Sequence, residues 1–295
     1  MRRDASTHVG YDRATVDAVL DALQPRLAAR RRSLLVGLSG LQASGKSTLA
    51  RQIAVAAHAR GIPTQVLALD DFYLGRRARG ALARSVHPLL ATRGVPGTHD
   101  IALLERTVRA LRDASPHRPA RVPRFEKGLD TRLPPSRWTR VATPPRLILL
   151  EGWCIGVPPQ DISALARPLN DLEHREDADA RWRTRANTQL ADEYSKLWRR
   201  LDVLVVLAAP DFETISRWRD EPERSLRRQR APHAMSPSKL RRFLMHYERL
   251  SRHALRVLPK IADIVIELDE SRRVRRIRVA RISRQRTGST TTAVP

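Results

Sequence analysis

The chain has 295 residues, room for one large α/β domain or two small ones, and 41% of them are hydrophobic, enough for a packed core. Its formal net charge is +24, and 50 of its 55 basic residues are arginine. A single cysteine excludes an intramolecular disulfide and any multi-cysteine metal site. The first residues, Met1-Arg-Arg-Asp-Ala-Ser, lack an apolar secretory stretch, and the longest apolar runs are too short for a bilayer, so the expectation is a cytoplasmic protein without membrane association. The positive field would attract polyanions. The arginines are scattered, however, without a basic block interleaved with aromatics, so nucleic acid is not the expected partner.

In chain order, Val16, Val19, Leu20, Leu23 and Leu27 are spaced for a helix over 12–30. Leu34–Ser39 reads as a buried strand running into Gly40-Leu-Gln-Ala-Ser-Gly-Lys-Ser47, and a helix continues from Thr48. This is the Gly-x-x-x-x-Gly-Lys-Ser pattern between a strand and a helix, the context that gives it meaning as a nucleoside-triphosphate loop. Its glycines let backbone N–H groups curl toward phosphate oxygens at a helix N-terminus. Gly40, Gln42, Ala43, Ser44, Gly45, Lys46, Ser47 and Thr48 are therefore the expected nucleotide contacts. Lys46 reaches for the β/γ-phosphates and Ser47 for Mg²⁺. A second strand, Gln65–Leu69, stops at Asp70-Asp-Phe-Tyr73, and a Gly/Arg-rich stretch runs from Gly75 to Gly97. A helix at about 100–113 and a Pro-rich loop to Pro145 follow, then a third strand, Leu147–Leu150, ending at Glu151-Gly152. Residues 161–200 read as mostly helical with a charged break at Glu173–Asp179, and Leu201–Ala208 as a fourth strand. Arginine-rich helices at 211–230 and 237–256, a last strand at Ile261–Leu268, a short edge strand at 274–280 and a disordered tail from Ser283 complete the reading.

Strands alternating with helices, the strands almost continuously apolar, predict a parallel sheet covered by helices on both faces, with the chemistry at the strand C-termini. Asp70, Asp71 and Glu151 fall at such ends. An Asp-Asp pair alone is common in solvated turns. Two acidic strand ends in phase with a phosphate loop point instead to a metal-holding acid and a proton acceptor.

At these residues a resemblance becomes specific. Leu69-Asp-Asp-Phe-Tyr-Leu74, Arg93-Gly-Val-Pro-Gly-Thr-His-Asp100, Pro123-Arg-Phe-Glu-Lys127 and Leu150-Glu-Gly-Trp-Cys-Ile-Gly156 occur in that order. Asn187-Thr-Gln-Leu, Leu197-Trp198 and Ser216-Arg-Trp-Arg219 before Met235-Ser236 follow. Together they resemble the plant-type D-glycerate 3-kinase family and its bacterial relatives, within the phosphoribulokinase/uridine kinase/pantothenate kinase group of P-loop kinases. The resemblance covers about residues 34–268. It implies a three-layer P-loop NTPase fold with a helical, arginine-rich lid, a kinase domain at 34–282, and a helical extension at 1–33. It also implies ATP and Mg²⁺ as cofactors and transfer of the γ-phosphoryl to D-glycerate, giving 3-phosphoglycerate.

In the same terms Asp70 is the candidate general base, with Asp71 and Tyr73 beside it, and Glu151 orients Mg²⁺ with Ser47. Arg219, Arg224 and Arg227 fall where relatives have the lid. An anionic acceptor needs a guanidinium or ammonium partner and donors for its hydroxyls. Thr98, His99, Asp100, Lys127 and Arg132 are the candidates, although His99, Thr98 or Asp100 could instead cap the following helix, and for Asp100 the two roles weigh equally. Where the family commonly has Tyr-Asp-Lys, this chain has Phe125-Glu126-Lys127. Two other readings stand beside this one. The first is the same chemistry on a nucleoside, pantothenate or another hydroxy acid. The second, drawing on the charge, is a nucleotide-dependent, nucleic-acid-binding ATPase. Oligomeric state is left open.

Overall fold

The apolar run before the phosphate loop forms β1 (Leu34–Gly40), buried at every position, as expected of a central strand with helices on both faces. The structure is a computed structural model and describes residues 10–231 and 234–280. The helices are α1 (Arg13–Ala29), α2 (Lys46–Ala59), α3 (Arg76–Ser85), α4 (Ile101–Arg112), α5 (Asp171–Glu176), α6 (Arg181–Gln189), α7 (Ser195–Trp198), α8 (Phe212–Arg228) and α9 (Pro237–Ile261). The remaining strands are β2 (Thr64–Ala68), β3 (Ala120–Val122), β4 (Phe125–Glu126), β5 (Thr131–Arg132), β6 (Thr139–Val141), β7 (Leu147–Gly152), β8 (Val203–Ala208), β9 (Ile264–Leu268) and β10 (Val274–Val279).

Six strands make the main sheet in the order β10-β9-β8-β1-β7-β2. Neighbours pair in parallel except β10, which closes one edge antiparallel to β9. β7 sits between β1 and β2, with Glu151 opposite Leu38 on one side and Ala68 on the other. Gly40, Glu151 and the chain leaving Ala68 therefore emerge at the same end of the sheet, where ligands of such sheets bind.

Several boundaries differ from those read in the sequence. The second strand ends at Ala68, and Leu69–Phe72 form a 3₁₀ turn that carries Asp70 and Asp71. The Gly/Arg-rich stretch contains α3, which buries Arg79. The Pro-rich segment folds into two small antiparallel ribbons, β3 with β6 and β4 with β5. The charged break is shorter than expected. The Asn170 side chain accepts from the Glu173 amide and starts α5, and the chain turns only at Asp177–Ala180, with Ala180 at φ 62°. α9 continues through Pro259 to Ile261, delaying the last strand to Ile264. The helix read as an extension is part of the body. Val16, Val19, Leu20, Leu23 and Leu27 of α1 join the sheet's hydrophobic cluster, and α1 packs on α2 and β10. The tail from Ser283 and the domain end at 282 lie outside the described residues.

Arginine also builds the interior. The Arg183 guanidinium, 3% exposed, meets the fully buried Asp177 at 2.9 Å and donates to the Leu165 carbonyl at 2.7 Å. Asp177 in turn accepts from the amides of Trp182 and Arg183. Breaking such a pair from one side leaves a buried charge uncompensated. Asp177→Ala is expected to lower the unfolding free energy by about 3–5 kcal/mol in urea denaturation. Arg13→Ala, at the exposed pair with Asp17, is expected to change it by no more than about 0.5 kcal/mol. Comparable effects of the two would contradict this division.

Candidate active site

The phosphate loop leaves β1 at Gly40, where a Cβ would lie 2.7 Å from Ser44 Oγ and 3.2 Å from Leu207 Cβ, so no larger residue fits without a shift. Gly45 takes φ +86° and starts α2 without any side-chain cap. The first N–H groups of α2 are thus left for a ligand, and a helix N-terminus favours an anion. The Ser44 hydroxyl and both polar ends of the Gln42 amide are buried with no protein hydrogen-bond partner. The Ser44 hydroxyl and the Gln42 Nε2 are orphaned donors beside an uncapped helix start, which a cradle for phosphate oxygens requires.

Ser47, on the first turn of α2, donates its hydroxyl to Glu151 Oε1 at 2.6 Å, joining the loop to the end of β7. Burial raises the Glu151 carboxyl, while the Lys46 ammonium and the Ser47 hydrogen bond pull it down. A hydroxyl and a carboxylate beside a phosphate cradle are the oxygen donors that Mg²⁺ takes in such sites, and these two fit it.

Across the crevice stands Asp70. Its Oδ2 lies 2.8 Å from Lys127 Nζ, and its Oδ1 accepts from the Tyr73 hydroxyl at 3.1 Å. Burial alone raises this carboxyl, but the Lys127 and Lys46 ammonium groups outweigh it and hold Asp70 at about 2. Lys127 rides on the tip of the β4–β5 ribbon, which is fastened from below. Asp130, at φ 52°, takes the guanidinium groups of the buried Arg79 and of Arg93. The adjoining Asp71 accepts from the Phe125 amide at 2.9 Å and from Arg124 at 3.3 Å. Asp71 therefore anchors the ribbon that carries Lys127 rather than lining the crevice.

Tyr73 is buried and stacks on His99, with ring centroids 4.5 Å apart. Burial drives the His99 imidazole down to about 4 against the pull of Asp70, so it is neutral near pH 7. The Gly97 amide donates to the Tyr194 hydroxyl at 3.1 Å, and that hydroxyl lies 2.6 Å from His99 Nδ1. Tyr194 closes a π-helical turn, Leu190–Tyr194, between α6 and α7, and the Ser195 hydroxyl donates to the Leu190 carbonyl there.

The other expected substrate contacts are engaged in structural bonds. Thr98 is fully buried, accepting from the Gly94 amide and donating to the Val95 carbonyl, so its hydroxyl closes a turn and is spent. Asp100 both caps α4, through the Leu103 amide, and meets Arg132 at 3.3 Å. Arg132 also donates to the Tyr73 carbonyl, tying β5 to the turn beyond Asp70. Among the described residues, the expected lid arginines make no hydrogen bond or ion pair with the loop. Arg219 pairs with Glu223, and Arg224 and Arg227 with Asp220, all within α8. Spacings of four and seven residues put these charges on one helix face, where they neutralise each other. The structure thus joins Lys46, Ser47, Glu151, Asp70, Tyr73, His99 and Lys127. Tyr194 was not among the expected residues, because a π-helical turn leaves no spacing signal in the sequence.

No family model matches the chain. Among curated proteins it is similar to the uncharacterized kinase mug58 of Schizosaccharomyces pombe, 30% identical over 241 residues that cover 79% of this chain and 84% of the yeast protein. It is also similar to the chloroplastic D-glycerate 3-kinase of Arabidopsis thaliana, 28% identical over 222 residues that cover 72% of this chain but 46% of the plant protein. In fold it is similar to the solved D-glycerate 3-kinase of Cryptococcus neoformans, with a TM-score of 0.75, 21% identity and coverage of 91% of this chain and all of that one.

The Asp70–Lys127 pair offers a direct electrostatic test. The folded value of Asp70 lies below the ordinary aspartate value of about 3.9, so the pair contributes stability that is present above that pH and lost as pH falls through about 2. Lys127→Met is expected to shift the Asp70 carboxyl upward in a carbon-13 NMR titration. No shift would mean that the ammonium does not set it. The phosphate loop with its paired serine and acid, the parallel sheet that carries them and the match to mug58 together place the chain in the P-loop kinase family to which that yeast kinase belongs.

Proposed function

We propose that the protein transfers the γ-phosphoryl of ATP to a hydroxyl of D-glycerate, giving 3-phosphoglycerate. The observation that carries this reading is the Asp70 carboxylate, held by Lys127 at 2.8 Å and Tyr73 at 3.1 Å across from the Lys46 loop. A small hydroxy acid presents the complementary pair, a carboxylate for an ammonium and a hydroxyl for a carboxylate. The similarity to the Arabidopsis D-glycerate 3-kinase supports that choice of acceptor.

Phosphoryl transfer needs little covalent help from the protein and depends on positioning and charge neutralisation. Lys46 and the uncapped start of α2 would hold the phosphates, and Ser47 and Glu151 would hold Mg²⁺, which supplies charge neutralisation when bound. Asp70 would accept a hydrogen bond from the acceptor hydroxyl, orient it, and take its proton as the new P–O bond forms. Its ionised state at all physiological pH values suits that acceptor role. An acceptor carboxylate drawing on Lys127 would loosen the ammonium from Asp70, and burial would then make Asp70 more basic when substrate is present. His99, neutral by burial, adds no positive charge to oppose this change.

ATP consumption with D-glycerate, other hydroxy acids, nucleosides and polynucleotide as separate additions tests the assignment. D-glycerate is expected to give the highest kcat/KM, and stimulation by polynucleotide alone would overturn it. Asp70→Asn is expected to lower kcat by at least about 10²-fold with ATP affinity nearly unchanged. A loss under about threefold, less than ~1 kcal/mol of barrier, would remove Asp70 from the role. Lys46→Ala is expected to weaken ATP binding and turnover together, and unchanged values for both would count against the phosphate loop itself.

A further inference from the structure

Two side chains outside the phosphate-loop motif grip its backbone from outside. Tyr11, 7% exposed, donates its hydroxyl to the Ser44 carbonyl at 2.7 Å. Arg272, in the turn between β9 and β10, donates through Nε to the Ala43 carbonyl at 3.1 Å. Both are themselves fixed. The Tyr11 backbone is clasped on both sides by the Gln52 amide of α2, at 2.9 and 2.8 Å. Arg272 donates to the Trp218 carbonyl, pairs with Glu221 and lies 5.1 Å from the centre of the Trp218 ring. Burial raises the Tyr11 phenol against the pull of the neighbouring Arg272, so the hydroxyl stays protonated and donates.

The consequence follows from peptide planarity. The Ala43 carbonyl and the Ser44 N–H are opposite ends of one rigid unit, and the Ser44 carbonyl and the Gly45 N–H are opposite ends of the next. Turning both carbonyls outward therefore sets the direction of both amides. The Ser44 amide closes the turn on the Leu41 carbonyl at 3.2 Å, and the Gly45 amide points the other way from Tyr11. Ala43 holds φ +59°, a left-handed conformation that a non-glycine residue adopts only when its surroundings enforce it. Arg272 on its carbonyl is one such constraint.

We propose that Tyr11 and Arg272 are positioning residues of the nucleotide site, a clamp that presets the phosphate cradle before nucleotide enters. Because Arg272 also holds Trp218 and Glu221, the clamp joins the loop to α8 and couples that helix's position to the cradle. The inference rests on the nucleotide reading of the loop and is independent of the acceptor.

The test uses the full chain carrying Tyr11→Phe or Arg272→Lys. Tyr11→Phe removes one hydroxyl, and Arg272→Lys keeps the charge but removes the forked geometry. Loss of one such hydrogen bond is expected to raise the ADP·Mg²⁺ Kd in calorimetry, and the ATP KM, about three- to tenfold. The KM for the acceptor and the kcat are expected to stay within twofold. The double variant is expected to fall short of the product of the single effects, because adjoining peptides share the constraint. Hydrogen exchange of residues 40–47 without nucleotide is expected to speed up in both variants. That readout stands even if ADP does not bind the unaltered chain, an outcome that would remove the nucleotide reading instead. A lower melting temperature with unchanged ADP affinity and unchanged loop exchange would make both contacts merely structural and overturn the clamp.

Discussion

The hydrogen bond from Ser47 to Glu151 joins residues 104 positions apart in sequence, and its 2.6 Å length depends on the register of β1 against β7. A slip of one residue between these strands would turn Glu151 to the opposite face of the sheet and separate it from the start of α2. The same alignment sets β2 beside β7, with Ala68 opposite Glu151, and so fixes where Asp70 stands. The two halves of the candidate site, the loop with Ser47 and the turn with Asp70, share β7 as their common ruler. The full burial of β1 and β7 makes the register stringent, since every displaced side chain would lose its packing.

The large positive charge is spread among tasks. Some arginines are interior fasteners, as with Arg79 over the β4–β5 ribbon, Arg183 on Asp177 and Arg249 on the buried Glu173. Others neutralise carboxylates along their own helix, as in α8. A guanidinium suits the first task because its planar fork bonds several carbonyls at once, whereas an ammonium is a single point charge. The two charges that meet at the crevice, Lys46 and Lys127, are lysines in a chain with only five of them. In the proposed reaction those two positions set a flexible point charge against a carboxylate or phosphate whose charge changes.

The parts of the site that were legible in the sequence are those set by short-range pattern: the glycine spacing of the loop, the strand-to-loop transitions, and acidic residues at strand ends. They led to Lys46, Ser47, Glu151 and the Asp70-Asp71 pair, and the family resemblance chose Asp70 of the two. The parts set by long-range contact were not legible. Asp71 and Asp70 are adjacent and chemically identical, and the Phe125 amide and Arg124 show that Asp71 holds the base of the ribbon while Asp70 meets Lys127 at its tip. Thr98 carries a hydroxyl that pattern alone makes a substrate contact, until a buried four-residue turn consumes it. Tyr11, Tyr194 and Arg272 reach the site from distant segments, and nothing in their local sequence distinguishes them from ordinary core and turn residues.

The position of β7 between β1 and β2 also governs how the molecule can be assembled. A chain made from its N-terminus completes both flanking strands long before Leu147–Gly152 exists to fill the gap. Until then β1 and β2 present unpaired edges to one another across an empty slot, the kind of surface that invites pairing with a second chain. Closing the sheet must bridge a long intervening segment, and such distant pairings form slowly. The segment that waits in between, residues 69–146, holds Asp70 and Lys127, so the pair they form across the candidate site acquires its geometry only when β7 is inserted.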